Sequence, residues 1–214
     1  MYYKRFIEPT LAIVIGIAIV ACSIAIAEPA NEKAGAPQIK LPPGWTEADM
    51  QACMLASTPG KMHEQLAKAA GSWQGKQTMW MYDGAEPVQN DVTSKVTAIM
   101  DGRYLKVEFS GQSPAMGPFT GFGITGYDNV SRKVVSTWID NWSTGIMVGS
   151  GEISDDGATI TTRMSYNCPL TKKPAVMRQI ETITGPNTKT LEMFNTDPKS
   201  GREYKMISIE LTRK

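Results

Sequence analysis

The chain has little histidine and cysteine: among its 214 residues are a single histidine, His63, and three cysteines. Zinc sites are built from several Cys or His ligands, which this composition cannot supply in a cluster. A Ser-His-Asp triad would depend on His63 alone, and no G-x-S-x-G motif carries a serine. A haem barrel would place a histidine on a late strand, whereas His63 precedes the strands. We therefore predict no cofactor and interpret His63 as a helix-surface or packing residue. The methionines are interpreted as soft core residues, with haem ligation by methionine as the alternative.

The chain also lacks an excess of charge of either sign. Lys and Arg number 22 against 21 Asp and Glu, for a formal net charge of +1. Without residues 1–27, which hold Lys4, Arg5 and Glu8, the balance is 20 to 20. A neutral chain without a basic cluster does not have the electrostatic footprint of a nucleic-acid-binding protein or of one that binds anionic membrane surfaces.

Residues 1–27 have the pattern of a signal peptide. Lys4 and Arg5 precede the apolar run Leu11–Ala21, and Ala25–Ala27 forms an A-x-A cleavage site before Glu28. Two alternatives stay open. The segment 19–22 fits a lipobox that would lipidate Cys22, and the uncharged stretch 11–27 approaches the length of an uncleaved anchor. All three export the remainder, so we predict a periplasmic or secreted protein that meets the membrane only through its leader or a lipid.

Export places Cys53 and Cys168 in an oxidising compartment. A disulfide would tie the segment around Cys53, for which a helix is predicted below, to a loop of the strand-rich region around Cys168. The alternative is two unpaired cysteines that lie too far apart to bridge. We favour the unpaired state, because a domain of this size does not need a covalent link for stability.

The remainder divides into a linker over residues 28–44 and one domain over residues 45–214. Thr46–Asp49 has the spacing of a capping box and predicts a helix to about Ala56. Pro59-Gly60 ends it, and a second short helix is predicted over 62–70. We expect apolar side chains of these helices to anchor them over one end of the β-domain: Met50, Met54, Leu55, Met62 and Leu66.

From Trp73 onward the chain has the pattern of short antiparallel strands. Apolar and polar residues alternate, as in Leu105–Phe109 and Ile207–Leu211, and the runs end in turns such as Asp83-Gly84. The predicted strands are about 73–82, 91–100, 103–110, 119–127, 133–141, 145–153, 158–166, 175–184, 188–196 and 202–213. Roughly ten strands joined by short turns predict a mainly β protein with one up-and-down barrel preceded by two short helices.

Five ordered motifs carry a resemblance to a known family. They are Gly71–Gly75, Asp101–Leu105, Gly121–Asp128, Thr137–Asp140 and Ser143–Gly145. The first resembles the Gly-x-Trp opening of calycins, the lipocalin-like barrels. Together the motifs resemble the bacterial domain-of-unknown-function 1579 family over about residues 45–214. The resemblance implies a calycin-like barrel, often exported, and brings no catalytic residues with it.

The glycines Gly121, Gly123 and Gly126 match the dinucleotide fingerprint G-x-G-x-x-G. That chemistry needs a helix whose N-terminus holds the pyrophosphate, but here a turn and a strand follow. We interpret the glycines as positions where a barrel strand bends or admits a bulky neighbour.

The candidate ligand site lies at Ser136–Trp142. Alternation places Trp138 and Asp140 on one face, where a ring beside an acidic group suits the wall of a pocket. We expect Arg178 to pair with Asp140 inside the barrel, because an isolated buried carboxylate is costly. Tyr127 is the next candidate. The alternative is that Trp138 is core and Asp140 caps the adjacent turn.

Three functions follow from these residues. The favoured hypothesis is an exported, non-enzymatic barrel that binds a small apolar or amphipathic molecule. The first alternative is an enzyme that uses an interior acidic residue with Arg178. The second is a structural envelope protein whose barrel is filled with side chains.

Export is the first testable prediction. Expressed in its own host, the protein should begin at Glu28 or carry lipid on Cys22, as read from the mass of the purified chain. Recovery of the unprocessed N-terminus from a soluble cytoplasmic fraction would contradict it.

Overall fold

The computed structural model describes residues 40–114 and 116–214. Almost all of these fall in one compact unit, Leu41–Lys214. The predicted signal peptide and Cys22 lie outside the described residues. Within the described part of the chain, no helix is both long and apolar enough to cross a membrane.

Two helices precede ten strands. The helices are α1 (Glu47–Ser57) and α2 (Lys61–Ala67). The strands are β1 (Gly71–Met79), β2 (Val88–Ile99), β3 (Tyr104–Ser113), β4 (Gly117–Asp128), β5 (Lys133–Asp140), β6 (Met147–Ile153), β7 (Thr159–Asn167), β8 (Pro174–Gly185), β9 (Thr188–Thr196) and β10 (Glu203–Arg213).

The strands form one closed antiparallel barrel in chain order, with β1 paired to both β2 and β10. The prediction of a ten-stranded meander after two short helices is confirmed. Because strand direction alternates, odd-numbered strands begin at the end next to the helices, the helical end, and finish at the opposite end, the far end.

Side-chain alternation fills the helical end with apolar residues. In β2, for example, Val92 and Val96 are buried while Asp91 and Lys95 are exposed. The buried core comprises Leu66, Ala69, Trp73, Val92, Val96, Leu105, Val134, Ile209 and Leu211. This cluster joins α2 and the loop that follows it to both sides of the barrel, so the helical end is closed by packing.

Trp73 is the centre of that packing, with 2% of its surface exposed. Its indole Nε1 donates to the Ala69 carbonyl at 3.0 Å. The guanidinium of Arg213 lies 4.2 Å from the ring centroid and the ammonium of Lys189 lies 4.8 Å from it. Arg213 also donates to the carbonyls of Lys68 and Ala70. These contacts tie the first strand, the last strand and the end of the helical segment together.

α2 covers the helical end through His63 and Leu66, both buried. The His63 Nδ1 accepts a hydrogen bond from the Gly60 amide at 3.0 Å. The imidazole ring packs edge-on against the Tyr127 ring, with 5.9 Å between the two ring centroids. His63 is therefore a packing residue of the helical segment that covers this end of the barrel.

α1 is held differently from the prediction. None of its residues is buried, and Met54 and Leu55 are 62% and 64% exposed, so the expectation that they anchor the helix was wrong. Instead, the carbonyls at its C-terminal end accept hydrogen bonds from the barrel. Asn129 Nδ2 donates to Leu55 and Thr58, and Arg103 reaches Ser57. Polar capping replaces apolar burial here.

Trp73→Ala tests the closure of the barrel. Removing a buried indole should lower the free energy of unfolding by about 3–5 kcal/mol, measured by urea denaturation of the described domain. The matched control is Trp45→Ala, because Trp45 is 45% exposed and should cost far less. Equal losses of unfolding free energy in the two variants would contradict the role of Trp73 in closing the helical end.

Candidate functional site

The half of the barrel interior nearer the far end is lined by methionines and aromatic rings. Strand register places these side chains inward, as with the neighbouring pairs Trp138–Met147 and Met164–Met177. The lining comprises Met79, Met147, Met164, Met177, Met193, Phe109, Phe119 and Trp138. We call this set the methionine lining. Thioether side chains are flexible and polarisable, so such a surface adapts to the shape of an apolar guest.

Met79, Met164 and Met177 of this lining are buried, but other inward residues stay partly exposed. Val107, Phe109 and Leu191 face the core yet are only partly buried. The side chain of Glu181, which points inward between Ile160 and Leu191, keeps 24% of its surface exposed. Close-packed side chains would leave no such exposure. Part of the inner surface therefore stays open to solvent, and we call this partly open interior the lumen.

Lys189 and Glu181 form an ion pair inside the barrel. Lys189 Nζ donates to Glu181 Oε1 at 2.7 Å, and the Lys189 side chain is only 6% exposed. Lys189 pairs in register with Leu211, a core residue, which fixes its inward direction. This pair was not predicted from the sequence. The sequence feature that points to the pair is its placement: Glu181 and Lys189 lie on either side of the Gly185–Asn187 turn, so that the β8–β9 hairpin brings them close together.

Trp138 and Asp140 lie together on the inner face, as predicted. The Trp138 indole Nε1 donates to Asp140 Oδ2 at 3.0 Å, and both residues are half-buried. The other carboxylate oxygen, Oδ1, accepts from the Trp142 amide at 3.0 Å. Asp140 therefore both caps the turn after β5 and orients the indole at the far end of the lumen.

Gly121 makes room for that indole. A Cβ on Gly121 would lie 2.5 Å from Trp138 Cζ2, closer than two atoms can approach. The strand β4 continues through Gly123 and Gly126 to Asp128. The G-x-G-x-x-G pattern thus sits within a strand and admits a bulky neighbour.

Arg178 does not pair with Asp140, and its predicted interior position was wrong. It lies on the outer face, with Nη2 2.7 Å from Glu203 Oε2 and its guanidinium 4.0 Å from the Phe194 ring centroid. Arg178 lowers the pKa of Glu203 through this hydrogen-bonded pair. The reason is register: Met177 takes the inward position in β8, which turns Arg178 outward.

Tyr127 is also separated from the other candidates. It lies near the end of β4, at the helical end of the barrel, where its ring contacts His63. Trp138 lies near the end of β5, at the far end. Of the four predicted ligand residues, the structure brings only Trp138 and Asp140 together.

Cys53 and Cys168 are both free. Cys53 is exposed on α1 at the helical end, whereas Cys168 is buried just after β7 at the far end. Hydrogen bonds from the Thr171 amide and hydroxyl lower the pKa of the Cys168 thiol, because they favour the thiolate.

An open groove of about 720 Å³ crosses strands β1–β5. Its walls include Lys95, Glu108, Phe122 and Ile139, which alternation places on the outer face. Its lining also includes residues of the inner face, among them Phe109 and Asp140, so the groove and the lumen share part of the barrel wall. Within residues 40–114 and 116–214, no cluster of three or more His, Cys, Asp or Glu side chains could hold a metal ion.

Comparison with known proteins agrees with this architecture. The family model described as "Protein of unknown function (DUF1579)" matches residues 58–213, and the chain belongs to that family. Rv2717c from M. tuberculosis is 15% identical over 73% of this chain and 99% of its own, with a TM-score of 0.56. The S-type phycobiliprotein lyase CPES from Guillardia theta is 11% identical over 76% and 96%, with a TM-score of 0.54. Both show a likeness of fold. No curated protein matches the chain.

Asp140→Ala tests the pair at the far end. The substitution leaves the Trp138 indole and the Trp142 amide without their acceptor, so unfolding should be easier by about 1–3 kcal/mol in urea. Asp140→Asn keeps one acceptor oxygen and should lose less. Asp155→Ala, at an exposed turn position, is the matched control. A loss no larger than that of Asp155→Ala would contradict the assigned hydrogen bonds.

Proposed function

We propose that this member of the DUF1579 family binds a small, largely apolar or amphipathic molecule inside its barrel and catalyses no reaction. The observation that carries the proposal is the solvent-reached lumen with its methionine lining. Binding sites for small molecules are concave and mostly apolar, with a few polar groups that set orientation. The lumen has this composition.

The free energy of binding would come from the apolar lining. Each Å² of apolar surface removed from water contributes about 25 cal/mol, so even a short alkyl or ring system gains several kcal/mol. Methionines on different strands can adjust their rotamers to the guest without moving the backbone. The Trp138–Asp140 pair at the far end supplies a polar rim in this proposal.

The two alternatives from the sequence are less well supported. Interior acid chemistry with Arg178 has no basis, because Arg178 lies outside and pairs with Glu203. A structural barrel with a filled interior does not fit the partial exposure of Val107, Leu191 and Glu181.

We also propose that the protein acts outside the cytoplasm, in the periplasm or as a secreted or lipid-anchored protein. Support comes from the pair Lys4 and Arg5 before an apolar run and an A-x-A site. An exported carrier of an apolar molecule would shield it from water between membranes.

The test uses N-phenyl-1-naphthylamine, an uncharged dye that fluoresces in apolar surroundings. Residues 28–214 should bind it with a saturable increase in fluorescence. Met193→Gln, an almost isosteric change in the lining, should weaken binding about tenfold, since it places a polar amide against the dye.

Met54→Gln is the matched control, because Met54 is 62% exposed on α1. It should leave the affinity unchanged. Absence of saturable binding, or an equal loss in both variants, would refute a site in the lumen.

A further inference from the structure

The lumen contains a compact polar cluster beyond the methionine lining, on strands β7–β9. Its members are Thr162, Gln179, Glu181 and Lys189. Thr162 and Gln179 are direct neighbours in register, and Gln179 and Glu181 lie two residues apart on the same inner face. Lys189 is bound to Glu181 at 2.7 Å. The cluster therefore presents a hydroxyl, an amide, a carboxylate and an ammonium to one region of the interior.

Two of these groups have hydrogen-bonding capacity to spare. The Thr162 residue is 2% exposed, and its Oγ1 has no hydrogen-bond partner among the described residues. It points inward, because the flanking Thr161 and Arg163 are exposed. Glu181 uses Oε1 for Lys189, while the side chain stays 24% exposed inside the barrel. Buried polar groups in folded proteins almost always have partners, so an unsatisfied hydroxyl beside a solvent-reached carboxylate marks a place for one.

The charge of the cluster restricts what that partner is. Lys189 and Glu181 compensate each other, so the cluster is neutral as a whole. A ligand carboxylate would add an unpaired negative charge beside Glu181, and a ligand ammonium would add a positive one beside Lys189. An uncharged hydroxyl adds no charge. It can donate to the Glu181 carboxylate and accept from Thr162 or Gln179.

We propose that the ligand is an amphipathic molecule with an uncharged hydroxyl head, which binds to the Thr162–Gln179–Glu181–Lys189 cluster. The inference rests on the proposed function and specifies the ligand class. Met164 lies two residues from Thr162 on the same face, and Met193 pairs in register with Gln179. A hydroxyl at the cluster thus places its apolar chain directly along the methionine lining, with the Trp138–Asp140 pair beyond it.

The experiment compares 1-decanol with decanoate at neutral pH, as competitors of N-phenyl-1-naphthylamine on residues 28–214. In the unmodified protein, decanol should displace the dye at a concentration at least tenfold lower than decanoate. Glu181→Gln removes the carboxylate and leaves the charge of Lys189 uncompensated, so the preference should reverse toward decanoate.

Glu192→Gln is the matched control, because Glu192 pairs with Lys205 on the outer face. This variant should keep the preference for decanol. Thr162→Val provides a second variant that adds no charge. It should weaken the binding of decanol several-fold and leave the binding of decanoate unchanged, because it removes a hydroxyl with which decanol would form a hydrogen bond.

Failure of the inference and failure of the proposed function are distinguishable. If the dye binds in the lumen but decanol and decanoate compete equally in every variant, the hydroxyl assignment is wrong and the lumen site stands. If the dye does not bind at all, the proposed function itself fails. Reversal in Glu181→Gln together with the loss in Thr162→Val supports the cluster as the head-group site.

Discussion

The structure depends on the contacts of the Trp73 ring with two cations, Arg213 and Lys189. The indole sits where the first and last strands meet, and its hydrogen bond to Ala69 ties that seam to the helical segment. Trp73 therefore contributes both to closure of the barrel and to attachment of the helical segment. The arrangement has a second consequence, because it draws an ammonium into the interior. Lys189 then needs a partner, and Glu181 supplies it.

From this follows a division of the interior into two regions. The helical end is packed with Val96, Leu105 and Val134. Among the described residues, the charged side chains inside it are Arg213 beside Trp73 and the Lys189–Glu181 pair. Toward the far end, methionines replace branched aliphatic residues: Met79, Met164 and Met177 are buried, whereas Met147 and Met193 stay partly exposed. Branched residues give a fixed, dense core, whereas thioethers give an adaptable wall. The fold thus separates the densely packed region that supplies stability from the methionine-lined region to which we assign the proposed ligand.

The fold was largely predictable from sequence, but the site only in part. Period-two alternation and turn residues located all ten strands, because both signals are local. Trp138 and Asp140 followed from the same alternation. The error at Arg178 arose because β8 carries apolar residues on both faces: Val176 and Ile180 lie outside and Met177 inside. Alternation cannot then decide which face is inner, and a shift of one residue inverts every side chain. The Lys189–Glu181 pair could be found only from the register between β8 and β9, which alternation does not determine.

The central claim is that an apolar guest occupies the lumen. Its most direct test is NMR of protein labelled with ¹³C at the methionine methyl groups, titrated with N-phenyl-1-naphthylamine. We predict saturable shifts confined to inward methyls, chiefly those of Met164, Met177 and Met193, with one shared dissociation constant. Shifts confined to the exposed methionines Met54, Met81, Met100 and Met116 would contradict the account, because the dye would then be bound to the outer surface.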